Sequence, residues 1–94
     1  MIPTNNYINI TLTPTLEPIE YIPPDNGYIR TTIANNGSWA AVSIKDGIYE
    51  ESFAYSDSFY HTNITPVAKG STYIIKADGS IKAFRVTFIY AKKV

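Results

Sequence analysis

The chain has 94 residues, sets eight Lys and Arg against eight Asp and Glu, and contains no cysteine. A balanced chain has no field to draw in DNA, RNA or an anionic membrane surface, and without thiols neither a disulfide framework nor a thiolate zinc site can form. A single domain of this length sits near the lower limit for a self-sufficient core, so association with further copies is expected.

No apolar run approaches the roughly 20 residues that span a bilayer. The N-terminus also lacks the charged region and apolar core of an export signal, so a soluble protein assembled in a reducing cytoplasm is expected. Eight Tyr and four Phe accompany many Ile and Thr, side chains that fit a pleated, half-buried surface. No stretch carries the apolar spacing of an amphipathic helix, so the chain reads as all-β.

In chain order, strands are predicted over 7–13, 19–22, 28–34, 38–45, 48–54, 58–64, 72–76 and 81–91. About eight antiparallel strands is the number in a jelly-roll sandwich. The first alternates Ile8, Ile10 and Leu12 with Asn9, Thr11 and Thr13, inside a segment 1–18 that Pro3, Pro14 and Pro18 interrupt. It reads as an edge strand plus an arm. Four Asn/Asp-Gly sites, Asp25-Asn26-Gly27, Asn35-Asn36-Gly37, Lys45-Asp46-Gly47 and Ala77-Asp78-Gly79, read as hairpin turns. Between them Ile29 and Ile33 alternate with Arg30 and Thr32, and Val42 and Ile44 with Ser43 and Lys45. The last strand places Phe84, Val86, Phe88 and Tyr90 on one face and Ala83, Thr87 and Ile89 on the other. A strand apolar on both sides is buried on both sides, and in a thin sandwich a second copy is the expected cover.

Chemistry is sparse. His61 is the single histidine, near Asp57 and Ser58, but the segment lacks the strand-turn-helix context of a nucleophile elbow. Glu50 and Glu51 are adjacent and point to opposite faces of a strand. Asp25, Asp46 and Asp78 stand where turns want Asx side chains. The Asn-X-Ser/Thr sequons at Asn9, Asn36 and Asn63 read as unmodified. Neither catalysis nor a metal or cofactor is expected. Aromatic residues concentrate at Trp39, Tyr49, Phe53, Tyr55, Phe59 and Tyr60. Those flanking Ser56-Asp57-Ser58, together with His61, form the expected contact surface for a glycan or protein partner.

Three motifs over residues 19–92 resemble the C-terminal knobs of tailed-phage fibres: Tyr21-Ile22-Pro23-Pro24-Asp25-Asn26-Gly27-Tyr28, Pro66-Val67-Ala68-Lys69-Gly70, and the closing Phe84-Arg85-Val86-Thr87-Phe88-Ile89-Tyr90-Ala91-Lys92. Such knobs are similar to the trimeric jelly rolls of the C1q and tumour-necrosis-factor type. The resemblance implies that Tyr21, Pro24, Gly27 and Tyr28 fix the first long strand. It implies that Pro66, Lys69 and Gly70 make the turn before the penultimate strand, and that Tyr28, Phe84, Phe88 and Tyr90 belong to the core or the trimer interface. The sequence departs at its end, where Lys92-Lys93-Val94 stands in place of a closing Gly, and at its start, where Met1 lies close ahead of the first motif.

Taken as a whole gene product, the chain is therefore expected to be a small bacteriophage virion protein, a trimeric head fibre or capsid-decorating knob. Residues 1–18 would attach it to the capsid and its loops would touch host surface glycans. With further sequence ahead of Met1, the expectation becomes the receptor-binding knob of a tail fibre. A stand-alone carbohydrate-binding module is the remaining alternative.

Overall fold

The computed structural model describes residues 3–11, 17–57 and 59–92, with side chains from Asn6 onward. The strands are β1 (Pro3–Thr11), β2 (Ile19–Tyr21), β3 (Gly27–Asp46), β4 (Tyr49–Tyr55), β5 (His61–Val67) and β6 (Tyr73–Ala91), with no helix among the described residues. Every pairing is antiparallel.

At 20 and 19 residues, β3 and β6 are far longer than the usual strand of about 5–6 residues. Each passes through two layers. Residues 27–35 of β3 pair with β5 on one side and with 81–90 of β6 on the other, and β1 flanks the far side of β6. Residues 40–46 of β3 pair with β4 and with the first part of β6, which β2 flanks in turn. Two layers of four strand segments result, β1–β6–β3–β5 and β2–β6–β3–β4. Their inner faces meet in one cluster: Ile29, Ile33, Val67, Phe84, Val86 and Phe88 from the first, Ala40, Val42, Ile44, Tyr73, Ile75 and Ala77 from the second. The fold is thus an antiparallel, sandwich-like all-β domain, and the alternation read for 28–34 and 38–45 matches the buried positions.

The eight separate strands expected from the sequence become six among the described residues, because two Asn/Asp-Gly sites bend a strand instead of ending it. Register slips between Asn35 and Ala40 on β3, opposite Gly79 to Ile81 on β6. Gly37 and Gly79 supply the positive φ, +124° and +93°. Strands that cross from one sheet to the next need such a corner, and Gly makes it without a steric penalty. At Gly79 a side chain would also collide with the backbone, since a Cβ there lies 2.6 Å from the Trp39 carbonyl oxygen. Lys45-Asp46-Gly47 does form a hairpin. Asp46 pairs with Tyr49 across Gly47 at φ +59°, the II′ pattern with glycine first. Gly27 makes no turn; it is a buried strand residue with ordinary φ.

The expectation that a second copy covers the outward face of the last strand is corrected too. Thr87 and Ile89 are 4 % and 7 % exposed within a single chain. Their cross-strand neighbours do the covering: Asn9 and Arg30 flank Thr87, and Tyr7 and Tyr28 flank Ile89. Lateral neighbours on a sheet stand about 5 Å apart, so long side chains on β1 and β3 shield shorter ones between them. The edge-strand part of the expectation for 1–18 falls on β1, which is bonded into the sheet. Leu12, Thr13 and Pro14 lie outside the described residues, as do Ser58, Lys93 and Val94.

Candidate functional site

The β4–β5 connection brings together every residue expected there that the structure describes. Strand β4 ends at Tyr55, opposite Ala40 where β3 leaves its corner, and β5 begins at His61, opposite Ile33 where β3 approaches it. The connection therefore crosses between layers at the corner end. The Tyr55 ring stacks on His61 with centroids 3.7 Å apart and planes 4° from parallel. The Tyr55 hydroxyl accepts a hydrogen bond from Asn63 Nδ2 at 2.8 Å. Asp57 Oδ1 lies 2.7 Å from His61 Nε2 and accepts the Phe59 amide at 2.9 Å. Those bonds, the histidine first and the amide second, hold the Asp57 carboxyl below its ordinary pKa, since both favour the charged form.

One residue that sequence reasoning did not single out anchors this connection. Asn35 is buried at the corner of β3, its Nδ2 donates to the carbonyls of Tyr55 and Asp57, and its Oδ1 accepts the Gly37 amide at 3.1 Å. One amide side chain thus ties the bend of β3 to the loop. The signal was present in Asn35-Asn36-Gly37, but turn chemistry explained it locally. Phe59 and Tyr60 remain 72 % and 56 % exposed. Lys82 Nζ sits 5.8 Å from the Tyr60 ring centroid, within cation–π range. His61 is committed to Asp57 through its edge and to Tyr55 through its face. The cluster therefore presents a rigid aromatic surface on a pinned loop, suited to stacking against a ring or an apolar side chain.

The interface and core candidates divide by face. Phe84 and Phe88 are buried in the core of the single chain, and Tyr90 packs at its margin, edge-on to Phe88 at 4.9 Å. Tyr28 faces the other way, beside Ile89 and Pro66. Tyr21 lies 6.0 Å from Phe88, and burial, with Tyr90 nearby, pushes its hydroxyl above the ordinary tyrosine pKa. The three motif segments of the resemblance converge at this end. The Lys69 amide donates to Asn26 Oδ1 at 2.9 Å, the Gly70 amide to the Pro23 carbonyl at 3.2 Å, and the Ala91 amide to the Asn26 carbonyl at 3.3 Å.

The outward faces of the two layers differ in chemistry. On the first, Tyr7, Ile89, Tyr28 and Pro66 form one cross-strand row and Asn9, Thr87, Arg30 and Ile64 the next, with Arg85, Thr32 and Thr62 beyond; Tyr7 and Ile64 are 60 % and 53 % exposed. On the second, Glu50, Lys45, Ile74 and Glu20 form a row, followed by Ser52, Ser43 and Lys76. Glu50 and Glu51 do point to opposite faces, Glu51 lying on the inner side opposite Ile44. No group of three or more His, Cys, Asp or Glu comes together among the described residues. No family model, curated protein or solved structure matches this chain.

Proposed function

We propose that the chain is a non-enzymatic structural protein of a bacteriophage particle, a homotrimeric jelly-roll knob that projects from the virion as a head fibre or capsid decoration and adheres to host surface glycans. The observation that carries this reading is the strand order. Counting β3 and β6 as two segments each, the layers run 1-8-3-6 and 2-7-4-5. That order supports the eight-stranded, double Greek-key jelly roll that the fibre-knob resemblance implies.

The contrast between the outward faces supports a trimer built on the β1–β6–β3–β5 layer. Its Tyr7, Tyr28, Ile64 and Pro66 offer one apolar row beside Ile89, bordered by Arg30 and Arg85, whereas the opposite layer spaces Ile74 among Glu20, Lys45, Glu50 and Lys76. Burying one exposed Ile or Tyr side chain contributes about 1.5–3 kcal/mol, so a few such residues per subunit suffice to drive association. Three copies of the Tyr55–His61 corner around one axis then act together, and weak contacts by Phe59 and Tyr60 sum through avidity. The segment ahead of β2 is the docking side toward the capsid. The receptor-binding knob of a tail fibre is the second reading. It is favoured by β1, which is hydrogen-bonded into the sheet over Pro3–Thr11 instead of standing free as a docking arm.

Immunogold labelling of intact particles of a phage that encodes the chain tests the proposal. Gold on the head supports the head-fibre reading, gold at the tail tip supports the tail-fibre knob, and particles free of the protein overturn both.

A further inference from the structure

The sequence holds two Asn-Gly pairs, Asn26-Gly27 and Asn36-Gly37, and the fold treats them oppositely. We propose that Asn36 is a self-modification site, which in the folded protein loses its side-chain amide to water and becomes isoaspartate or aspartate, while Asn26 is held back. The reaction is an intramolecular acyl transfer. Hydroxide takes the proton of the glycine amide, and the backbone nitrogen attacks the asparagine Cγ. A C–N bond closes a five-membered succinimide, the Cγ–Nδ2 bond breaks, and the leaving nitrogen regains a proton as ammonia. Water then opens the ring: cleavage at Cγ gives aspartate, and cleavage at the main-chain carbonyl gives isoaspartate. One water enters and one ammonia leaves, and asparagine is among the thermally labile side chains for this reason.

Ring closure needs a side chain free to turn, a following nitrogen free to meet it, and water. Asn36 meets all three. It is exposed, and its side chain has no hydrogen-bond partner among the described residues. Gly37 is exposed as well, at φ +124°, and nothing lies within 4 Å of the place a Cβ would take. A residue without a Cβ moves through such φ values without a steric penalty, so this peptide can rotate toward Asn36. The β3–β6 ladder slips between Asn35 and Ala40, which leaves residues 36–39 outside its register. The one restraint is the hydrogen bond that the Gly37 amide donates to Asn35 Oδ1 at 3.1 Å.

Asn26 fails on the first two counts. Its Oδ1 accepts the Lys69 amide at 2.9 Å, its carbonyl accepts the Ala91 amide at 3.3 Å, and its own amide donates to Asp25 Oδ1 at 2.8 Å. Gly27 is buried and paired on both sides, with Val67 and with Tyr90, and the Ile89 carbonyl and the Phe88 ring crowd its Cα. Closing a ring there would pull the side chain from Lys69 and the nitrogen out of the ladder. The remaining asparagines precede Asn6, Tyr7, Ile10, Asn36 and Ile64, whose side chains obstruct the attack that glycine permits.

Conversion reaches the aromatic corner through Asn35. The bond from Gly37 to Asn35 Oδ1 spans residue 36, and Nδ2 of the same side chain donates to the carbonyls of Tyr55 and Asp57. Isoaspartate routes the main chain through Cβ, which lengthens it by one carbon inside that span and hangs a carboxylate beside it. The Gly37 amide can then no longer hold Asn35 Oδ1 in place, and the amide that pins the β4–β5 connection loses its fixed orientation. The connection therefore loosens as the folded protein ages, whatever partner the corner meets.

The test incubates the intact folded chain and the same chain in concentrated urea side by side in mildly alkaline buffer, and maps both by peptide mass spectrometry with fragmentation that separates isoaspartate from aspartate. The unfolded chain should convert at both Asn-Gly pairs. The folded chain should convert at Asn36 at least about tenfold faster than at Asn26. Asn36→Gln, whose longer side chain closes a six-membered ring far more slowly, should keep the parent's melting temperature and stay unmodified at that position. Hydrogen exchange at Tyr55, Asp57 and Phe59 should quicken in the aged parent and not in Asn36→Gln after the same incubation. Comparable conversion of Asn26 and Asn36 in the folded chain would overturn the proposal. So would an intact Asn36 after an incubation that converts the unfolded chain. Unchanged exchange at those three amides in the converted protein would overturn the link to the corner.

Discussion

Replacing Gly27 by Ala is expected to destabilise the domain although the backbone there is an ordinary strand. Gly27 opens β3 and pairs with Val67 on one side and Tyr90 on the other. A Cβ at this position overlaps the Ile89 carbonyl oxygen and lies 2.8 Å from two carbons of the Phe88 ring. The first obstacle is backbone of the central strand. The second is a ring fixed by Tyr21 and Tyr90, so neither yields cheaply. Overpacking of this kind costs about 1–3 kcal/mol. The entropy that Ala removes from the unfolded chain offsets roughly 0.4–1 kcal/mol of it. A net loss of about 1.3 kcal/mol corresponds to a fall of roughly 5–10 °C in the melting temperature of a domain this size. Gly70→Ala is the control: nothing lies within 4 Å of its Cβ, and only its φ of +79° resists. That cost is about 1 kcal/mol, or roughly 4–8 °C. Thermal unfolding followed by circular dichroism measures both. Gly27→Ala melting within about 2 °C of the parent would refute the close approach of β3 to β6.

Asn35→Ala should cost about 1–3 kcal/mol by leaving the Tyr55 and Asp57 carbonyls without their donor, and hydrogen exchange should quicken over the β4–β5 connection while the core stays protected. Thr31, fully buried with an unpartnered Oγ1, gives the opposite sign. Thr31→Val should raise the melting temperature or leave it unchanged, since it removes an unsatisfied hydroxyl and keeps the shape, and a clear fall would show that the hydroxyl has a partner. The depressed pKa of Asp57 makes its contribution to stability present above the ordinary aspartate value and lost as pH falls through the lower folded value. His61→Ala should therefore move the Asp57 titration, followed by carboxyl NMR shifts, back up toward the ordinary range; an unmoved midpoint would show that the histidine bond is not its main cause.

Much of this fold could be read from the chain alone because its strands alternate cleanly. Ile29 and Ile33, Val42 and Ile44, and Phe84, Val86 and Phe88 point inward as their spacing requires. The continuity of β3 and β6 could not be read. A glycine at positive φ serves a reverse turn and a sheet-to-sheet corner equally, and what separates Gly47 from Gly37 and Gly79 is whether the next segment pairs with its own predecessor or with a strand about forty residues away. The alternation of the last strand shows that Thr87 and Ile89 are covered but not by what, because lateral cover by Tyr7, Asn9, Tyr28 and Arg30 depends on register, which no local pattern encodes. Within the aromatic corner, Tyr55, Asp57 and His61 were legible as neighbours in sequence. Asn35 was not, since its partners lie 20 and 22 residues on.

The central claim is a trimer joined through the outward row of Tyr7, Ile89, Tyr28 and Pro66, with Ile64 beside it, on the β1–β6–β3–β5 layer. Solution mass by light scattering, for the intact chain and for Ile64→Asp, tests it most directly, with circular dichroism confirming that the exposed substitution leaves the fold in place. The account predicts three chains for the parent and one for the variant. A parent that is monomeric, or a variant that remains trimeric, would contradict it.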